Sequence, residues 1–313
     1  MPSSAHRKVL NTQPVAPWRG IAKAAGVGVA FAANSTLAGA AYAGGSNALS
    51  VLVVRAAVAF VVLYVLLGIR QVPRSLPARR RYQALGLGML FASYSYGVLA
   101  AIQFMPVALA VVTFYTYPLL VAAYAWWRGK TPFSAGTALA FLVAFAGIVL
   151  ALDIFGARPN MHGVAMALAS AVVVTLVLNL TPYVRGTGDS RPITLHMLGM
   201  ATSLFAVGLV ASGDFLLPQT ALGWIGFLGA PVFYTFGIIA IFEVLGEIGP
   251  LRMSLVMNIE PVAAVIFGFV LLDQRLGSGQ LVGVALVVVA VVLIEGATVL
   301  HLKEARSRTS APK

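Results

Sequence analysis

The sequence contains no cysteine and few charged side chains. Without cysteine the chain can form neither disulfides nor thiolate metal sites, and it has no thiol nucleophile. Charged residues make up 10% of the chain, whereas a soluble domain keeps about 25%. Because 60% of the residues are hydrophobic, polar side chains cannot cover a surface that faces water. The composition therefore predicts a protein whose solvent is lipid.

Motifs for nucleotide binding and for catalysis are also missing. The sequence has no GxxxxGK[ST] phosphate loop and no HExxH zinc motif. Its four histidines (His6, His162, His196 and His301) are scattered along the chain. We therefore expect no metal, no cofactor and no enzymatic activity. An intramembrane enzyme and a non-transporting membrane sensor or scaffold remain as alternatives of a different class.

Long apolar runs dominate the chain instead. About 20 consecutive apolar residues are enough for a helix to cross the hydrocarbon core of a bilayer. Such runs predict an all-α integral membrane protein with ten transmembrane helices joined by short connections. Their approximate bounds are 21–43, 47–68, 82–104, 106–127, 134–152, 162–181, 192–212, 220–242, 250–272 and 279–300.

The basic residues outnumber the acidic ones by 21 to 9, and their positions indicate a membrane orientation rather than a nucleic-acid partner. If the N-terminus is cytosolic and the chain crosses ten times, 18 of the 21 fall on the cytosolic side, as the positive-inside rule requires. We expect a multi-pass protein of the plasma (inner) membrane with both termini cytosolic. The bilayer, with its anionic headgroups, is then a partner. The segment "AYAGG" resembles a signal-peptidase site, so cleavage after the first span is an alternative.

The two halves of the sequence resemble each other. When Pro118 is aligned with Pro261, Gly136 falls on Gly279 without a gap. Each half then holds five spans, and an odd number inverts the second half relative to the first, as in many transporters with a site near the midplane. The predicted organisation is a cytosolic basic tail (1–20), two five-helix repeats (21–152 and 153–300) and a cytosolic C-terminal tail (301–313).

Three segments carry a family resemblance: "GGSNALSVLVVRAAVAF" at 44–60, "MPVALAVVTFYTYPLLVAAYAWW" at 105–127 and "GPLRMSLVMNIEPVAAVIFGFVLL" at 249–272. With them the chain resembles the EamA-type carriers of the drug/metabolite transporter superfamily. The resemblance implies a central cavity between two five-helix repeats and the export or import of small metabolites. Relatives often carry a Gly-Glu pair after the fourth and ninth helices, where this sequence has "RGK" at 128–130 and "DQR" at 273–275.

Two prolines lie halfway along predicted spans. Proline has no N–H to bond the carbonyl four residues earlier, and its ring crowds that carbonyl. Pro118 thus frees the carbonyl of Phe114, and Pro261 frees that of Met257. In hydrocarbon such a carbonyl must face protein, a hydroxyl or a water-filled cavity. We expect both prolines to kink their helices beside a polar pocket.

Polar side chains near the prolines and on two earlier spans are the candidate binding residues. Thr113, Thr116 and Tyr117 share one helical face by their spacing, and Asn258 shares a face with Pro261. Interhelical packing is the alternative role for each Thr or Tyr. The predicted substrate-binding set is Asn34, Ser93, Tyr96, Thr113, Thr116, Tyr117, Asn258 and Glu260.

Glu260 and Arg55 are the charged candidates. A carboxylate at mid-span costs about 3 kcal/mol and faces the interior or water, so Glu260 binds an ammonium group, carries a proton, or pairs with Arg55. Since Asn258 lies two residues from Glu260, the two point in nearly opposite directions. Arg55 either snorkels to the outer interface or holds a substrate carboxylate with both arms of its guanidinium.

Together these features predict a secondary transporter that works by alternating access. Hydroxyls, aromatic rings, one acid and one arginine suit a small zwitterion or an organic cation with an apolar body. We expect export of amino-acid-like or related small organic solutes, with protons as a candidate coupling ion. Efflux of drugs or organic cations and uptake of metabolites are the alternatives.

Overall fold

The computed structural model describes residues 17–128, 135–151, 160–185 and 189–293, and the regular structure in these ranges is helical. Both predicted tails, apart from the start of the first helix, and the end of the tenth predicted span lie outside them. The helices are α1 (Pro17–Ala43), α2 (Ala48–Ile69), α3 (Ala78–Ala101), α4 (Val107–Phe114), α5 (Tyr117–Trp127), α6 (Ala135–Ala151), α7 (Met161–Arg185), α8 (Arg191–Ser212), α9 (Ala221–Met257), α10 (Ile259–Leu272) and α11 (Ser278–Leu293).

Most of these helices suit a bilayer. Within the described ranges, seven helical segments are long and apolar enough to cross a membrane, α4 and α5 counting together as one. Three shorter apolar helices, Ala138–Ala151 within α6, α10 and α11, accompany them. Large hydrophobic side chains such as Val210 and Phe145 are exposed on the outside of the bundle, as contact with lipid tails requires. The expected all-α membrane class is therefore confirmed.

The two halves of the chain pack mainly against each other. Helix α1 packs most extensively against α9, and α3 packs against α7. These two contacts correspond when α1 is matched with α7 and α3 with the first part of α9. The contacts of α2 with α9 and of α8 with α3 correspond in the same way. Each of these helix contacts therefore has a counterpart in the other half, which fits an architecture of two repeats.

Helix α9 contains the predicted connection between the eighth and ninth spans. Residues 221–257 are helical throughout, so the connection expected at 243–249 does not interrupt the helix. A straight helix of this length would extend about 55 Å at 1.5 Å per residue, well beyond the roughly 30 Å of a hydrocarbon core.

The first part of α9 runs antiparallel to α1. Gly226 packs directly on the backbone of Leu37, and Gly237 packs on the ring of Phe31. The contacts thus move toward the start of α1 as the chain proceeds along α9. The missing side chains at Gly226 and Gly237 permit this close approach.

Helix α10 runs in the opposite direction. Gly28 contacts the side chain of Ile259, and Gly39 contacts that of Leu272, so the contacts now move toward the end of α1. The chain therefore reverses between residues 237 and 259. The sequence predicts this reversal, although it also predicts a non-helical connection there, which the structure replaces with helix.

Two helix breaks lie at equivalent places in the two halves. Helix α4 ends at Phe114 and α5 begins at Tyr117, whereas α9 ends at Met257 and α10 begins at Ile259. The ends at Phe114 and Met257 are separated by the same 143 positions as the two prolines. Each helix therefore ends at the residue whose carbonyl the proline cannot bond.

Candidate functional site

A cavity of about 210 Å³ lies between the two halves. It is lined by residues of α1, α2, α3, the α4–α5 break, α7, α9 and α10. Its wall is mostly apolar and aromatic, with a few polar groups, as in ligand sites generally. The principal polar residues at the wall are Asn34, Ser35, Arg55, Ser95 and Glu260.

Arg55 is held at the cavity by three helices other than its own. Its Nη1 donates to Oδ1 of Asn34 at 3.3 Å, and its Nη2 donates to Oγ of Ser95. The guanidinium also lies over the ring of Tyr234, with Cζ 4.3 Å from the ring centroid, a favourable position for a cation. The side chain is only 3% exposed, so it turns into the bundle and does not snorkel to the interface.

Among the described residues, the Arg55 guanidinium has polar neighbours but no anionic one. No carboxylate of the described residues lies within 4.0 Å of it as an ion pair, so the expected alternative of a pair with Glu260 is not formed. In addition, Nε of Arg55 is buried without a hydrogen-bond partner in the part of the chain that the structure describes. A buried cation without a counter-charge is costly in a membrane interior, and the site can therefore accommodate an anionic group.

Glu260 forms the second charged group at the cavity. It lies in the first turn of α10, where a carboxylate interacts favourably with the helix dipole. The hydroxyl of Tyr115 is 2.7 Å from its Oε2. The same hydroxyl is 3.0 Å from the carbonyl oxygen of Met257, the carbonyl that Pro261 leaves without an intrahelical donor.

Aromatic rings form much of the cavity wall between these groups. Tyr94 stacks on Phe114 with an interplanar angle of 12° and ring centroids 6.1 Å apart. Phe114 also contacts the rings of Tyr115 and Tyr117. These rings supply an apolar surface with quadrupoles that favour cationic or aromatic ligand groups.

The structure brings four of the nine predicted ligand-contacting residues, counting Arg55, to the cavity wall: Asn34, Arg55, Tyr117 and Glu260. Thr113, Thr116 and Asn258 are buried but are not among the lining residues. The Thr116 hydroxyl instead donates to the carbonyl of Thr113 at 2.9 Å. The spacing predicts that only one of Asn258 and Glu260 faces the cavity, and in the structure Glu260 lies at the wall.

Helix α3 presents a different face from the expected one. Ser93 is exposed and donates to the carbonyl of Met89, and Tyr96 is 43% exposed. Tyr94 and Ser95 face the cavity in their place. Both faces of this helix carry one serine and one tyrosine, so residue types alone do not distinguish them.

Sequence reasoning missed several residues of the site. Tyr115 belongs to the polar stretch before Pro118 but is not among the predicted binding residues. Tyr234 lies in a predicted span that contains no charged residue. Their polar tips in an apolar run are the signal that could have found them, because a buried tyrosine hydroxyl usually needs a partner. The missed polar or aromatic lining residues are Phe31, Ser35, Phe91, Tyr94, Ser95, Phe114, Tyr115 and Tyr234.

Comparison with known proteins agrees with this architecture. The sequence model of the EamA-like transporter family matches residues 18–152 and again residues 161–296. A solved structure, described only as the crystal structure of a protein, is 21% identical and superposes with a TM-score of 0.61 over 87% of this chain and 97% of its own. That similarity concerns the fold alone. No curated protein matches the sequence.

The family match covers both halves of the chain and most of its length. Together with the apolar helices, it makes the protein a multi-pass membrane protein in a lipid environment with a small-molecule substrate. The chain belongs to the EamA-like transporter family.

Proposed function

We propose that this carrier moves small amino-acid-like zwitterions by alternating access, with export as the expected direction. The observation that carries the proposal is that Arg55 and Glu260 line one cavity without pairing with each other. A zwitterion would present its carboxylate to the guanidinium and its ammonium to the carboxylate. Each charged side chain would then gain a counter-charge that no described residue gives it, which favours binding in a low-dielectric site.

The dimensions of the cavity favour a small solute over a drug-sized one. Pockets for drug-sized ligands measure about 300–1,000 Å³, whereas this cavity measures about 210 Å³. An organic cation with an apolar body would use Glu260 and the aromatic rings but would leave Arg55 without an anion. Drug or organic-cation efflux is therefore the second choice.

Counterflow in proteoliposomes with three matched solutes tests this proposal. The first solute is a zwitterionic amino acid with an apolar side chain, the second is its methyl ester, and the third is the acid without its amino group. We expect exchange of the zwitterion and much weaker exchange of the two singly charged analogues. Equal exchange of the methyl ester would instead support the organic-cation alternative, and loading vesicles of known orientation would give the direction.

Ten crossings in two inverted repeats, with both termini cytosolic, are the proposed topology. Two contacts between the halves support it, because each joins two segments that this topology places at the outer side. Ser46 donates to the carbonyl of Leu216 at 2.8 Å, and the N–H of Val107 donates to Oε1 of Gln274 at 3.0 Å.

Single cysteines test this topology, because the natural sequence has no cysteine to react in the background. Ser75, Asn160 and Ser278 are exposed and suit an impermeant thiol reagent. We expect labelling of Asn160→Cys and Ser278→Cys from outside and of Ser75→Cys only from inside. Labelling of all three from one side would exclude the ten-crossing arrangement. Ser46 is a poorer reporter because it is buried and bonded to Leu216.

A further inference from the structure

One hydroxyl joins the helix breaks of the two halves. Tyr115 lies between α4 and α5, is only 3% exposed, and has its hydroxyl within hydrogen-bond distance of Oε2 of Glu260 and of the carbonyl oxygen of Met257. A tyrosine hydroxyl carries a single proton, so it can donate fully to only one of these acceptors at a time. The choice between them depends on whether the carboxyl group is charged.

We propose that Tyr115 is a positioning residue that couples proton uptake by Glu260 to the conformation of the α9–α10 break. When Glu260 is ionised, the hydroxyl donates to the carboxylate, because hydrogen bonds to charged acceptors are the stronger ones. The carbonyl of Met257 then loses this donor.

Proton binding to Glu260 changes which group donates each hydrogen bond. The neutral carboxyl group donates its own O–H to the oxygen of Tyr115, and the hydroxyl of Tyr115 is released to donate to the carbonyl of Met257. The result is a continuous chain from Glu260 through Tyr115 to Met257, in which the carbonyl freed by Pro261 is satisfied. Since α9 and α10 meet at this point, the protonation state of one side chain fixes the geometry of the break.

Among the described residues, the other titratable groups at the cavity are few. Arg55 on α2 is the cation, Tyr94 comes from α3, Tyr117 from the start of α5, and Tyr234 from α9. The described side chains of α1 and α7 include no titratable one at the wall. Arg55 makes its hydrogen bonds to Asn34 and Ser95 and no ion pair to Glu260 within 4.0 Å. Tyr115 is therefore the titratable residue in direct hydrogen-bond contact with the carboxyl group.

Infrared difference spectroscopy of the purified protein in lipid, between high and low pH, tests the switch directly. A protonated carboxyl stretch that disappears in Glu260→Gln belongs to Glu260. In Tyr115→Phe we expect this band to remain but to move to higher frequency, because the carboxyl O–H has lost its acceptor. Tyr94→Phe removes a hydroxyl from the same cavity wall and should leave the band in place. A missing Glu260 band, or an unshifted band in Tyr115→Phe, would overturn the proposal.

Transport gives a second readout, which rests on the proposed function. In Tyr115→Phe, a pH gradient should no longer drive net flux of the zwitterion. Counterflow should persist at a rate within about 150-fold of the natural protein, the most that loss of one hydrogen bond to a charged group explains. Loss of counterflow together with net flux, or retained response to the gradient, would refute the coupling role. If the natural protein moves none of the solutes, the proposed function fails while the infrared test still decides the switch.

Discussion

The hydroxyl of Tyr115 lies 3.0 Å from the carbonyl oxygen of Met257, so a side chain of the first half is in position to donate the hydrogen bond that Pro261 cannot make in the second half. The two residues are 142 positions apart in the sequence. A proline in a membrane helix is tolerated when another group satisfies the freed carbonyl. Here that group also contacts the only acidic residue of the cavity wall in the described part of the chain.

Replacement of Pro261 by Ala should straighten the second break. The new N–H can donate to the carbonyl of Met257 and compete with Tyr115, so the free energy of unfolding should stay equal or rise by up to about 3 kcal/mol. If the straight form is favoured by about 1.4 kcal/mol, transport falls about tenfold. Pro118→Ala should act likewise in the first half. Thermal unfolding and counterflow rates measure the two effects.

Pro182 offers the matched control, because α7 continues through it without a break. Pro182→Ala also adds an N–H to a helix, but it should change transport far less. Full transport activity in both Pro118→Ala and Pro261→Ala would show that the helix breaks are not needed for the transport cycle.

Gly283 should be intolerant of any side chain. A Cβ at this position would lie 2.5 Å from the carbonyl oxygen of Gly147 and would also collide with the backbone of Ala151, so α6 and α11 would have to separate. Overpacking costs about 1–3 kcal/mol, and the midpoint of thermal unfolding of Gly283→Ala should fall accordingly. Gly279→Ala on the same helix has open space within 4 Å and should unfold at or slightly above the natural midpoint. Equal midpoints for the two variants would contradict this packing.

Gln274 should stabilise α4 through its side-chain oxygen. The N–H of Val107 in the first turn of α4 donates to it at 3.0 Å, and Pro106 makes no side-chain cap there. Gln274→Met removes the acceptor and should lower the free energy of unfolding by about 1 kcal/mol. Gln274→Glu keeps an acceptor and adds a negative charge near a helix N-terminus, so stability should be retained or slightly increased. If the Met variant is as stable as the Glu variant, the contact contributes nothing.

Sequence patterns predict the membrane class and the charged residues of the cavity better than they predict which face of a helix points inward. Runs of apolar residues and the positions of Arg55 and Glu260 depend on the cost of polar groups in lipid, and this cost is visible in one sequence. One sequence does not show which face of α3 points inward, because a helix between lipid and protein is apolar on both sides. The grouping of Thr113 with Thr116 and Tyr117 assumed one continuous helix, and the break at Tyr115 and Thr116 changes the angle between them.

Arg55 should decide the preference for a carboxylate. Removing one partner of a buried charge pair costs about 2–5 kcal/mol, so Arg55→Met should raise the KM for a zwitterionic amino acid by about 30-fold or more. The methyl ester of the same amino acid offers no carboxylate and should be affected far less. Arg55→Lys keeps the charge but loses the planar fork that reaches Asn34 and Ser95 together, and its KM for the zwitterion should be intermediate. Counterflow with both solutes gives these values. A guanidinium that only supports packing would change the KM for the zwitterion and for the ester by the same factor, and that result would remove the carboxylate from the proposed substrate.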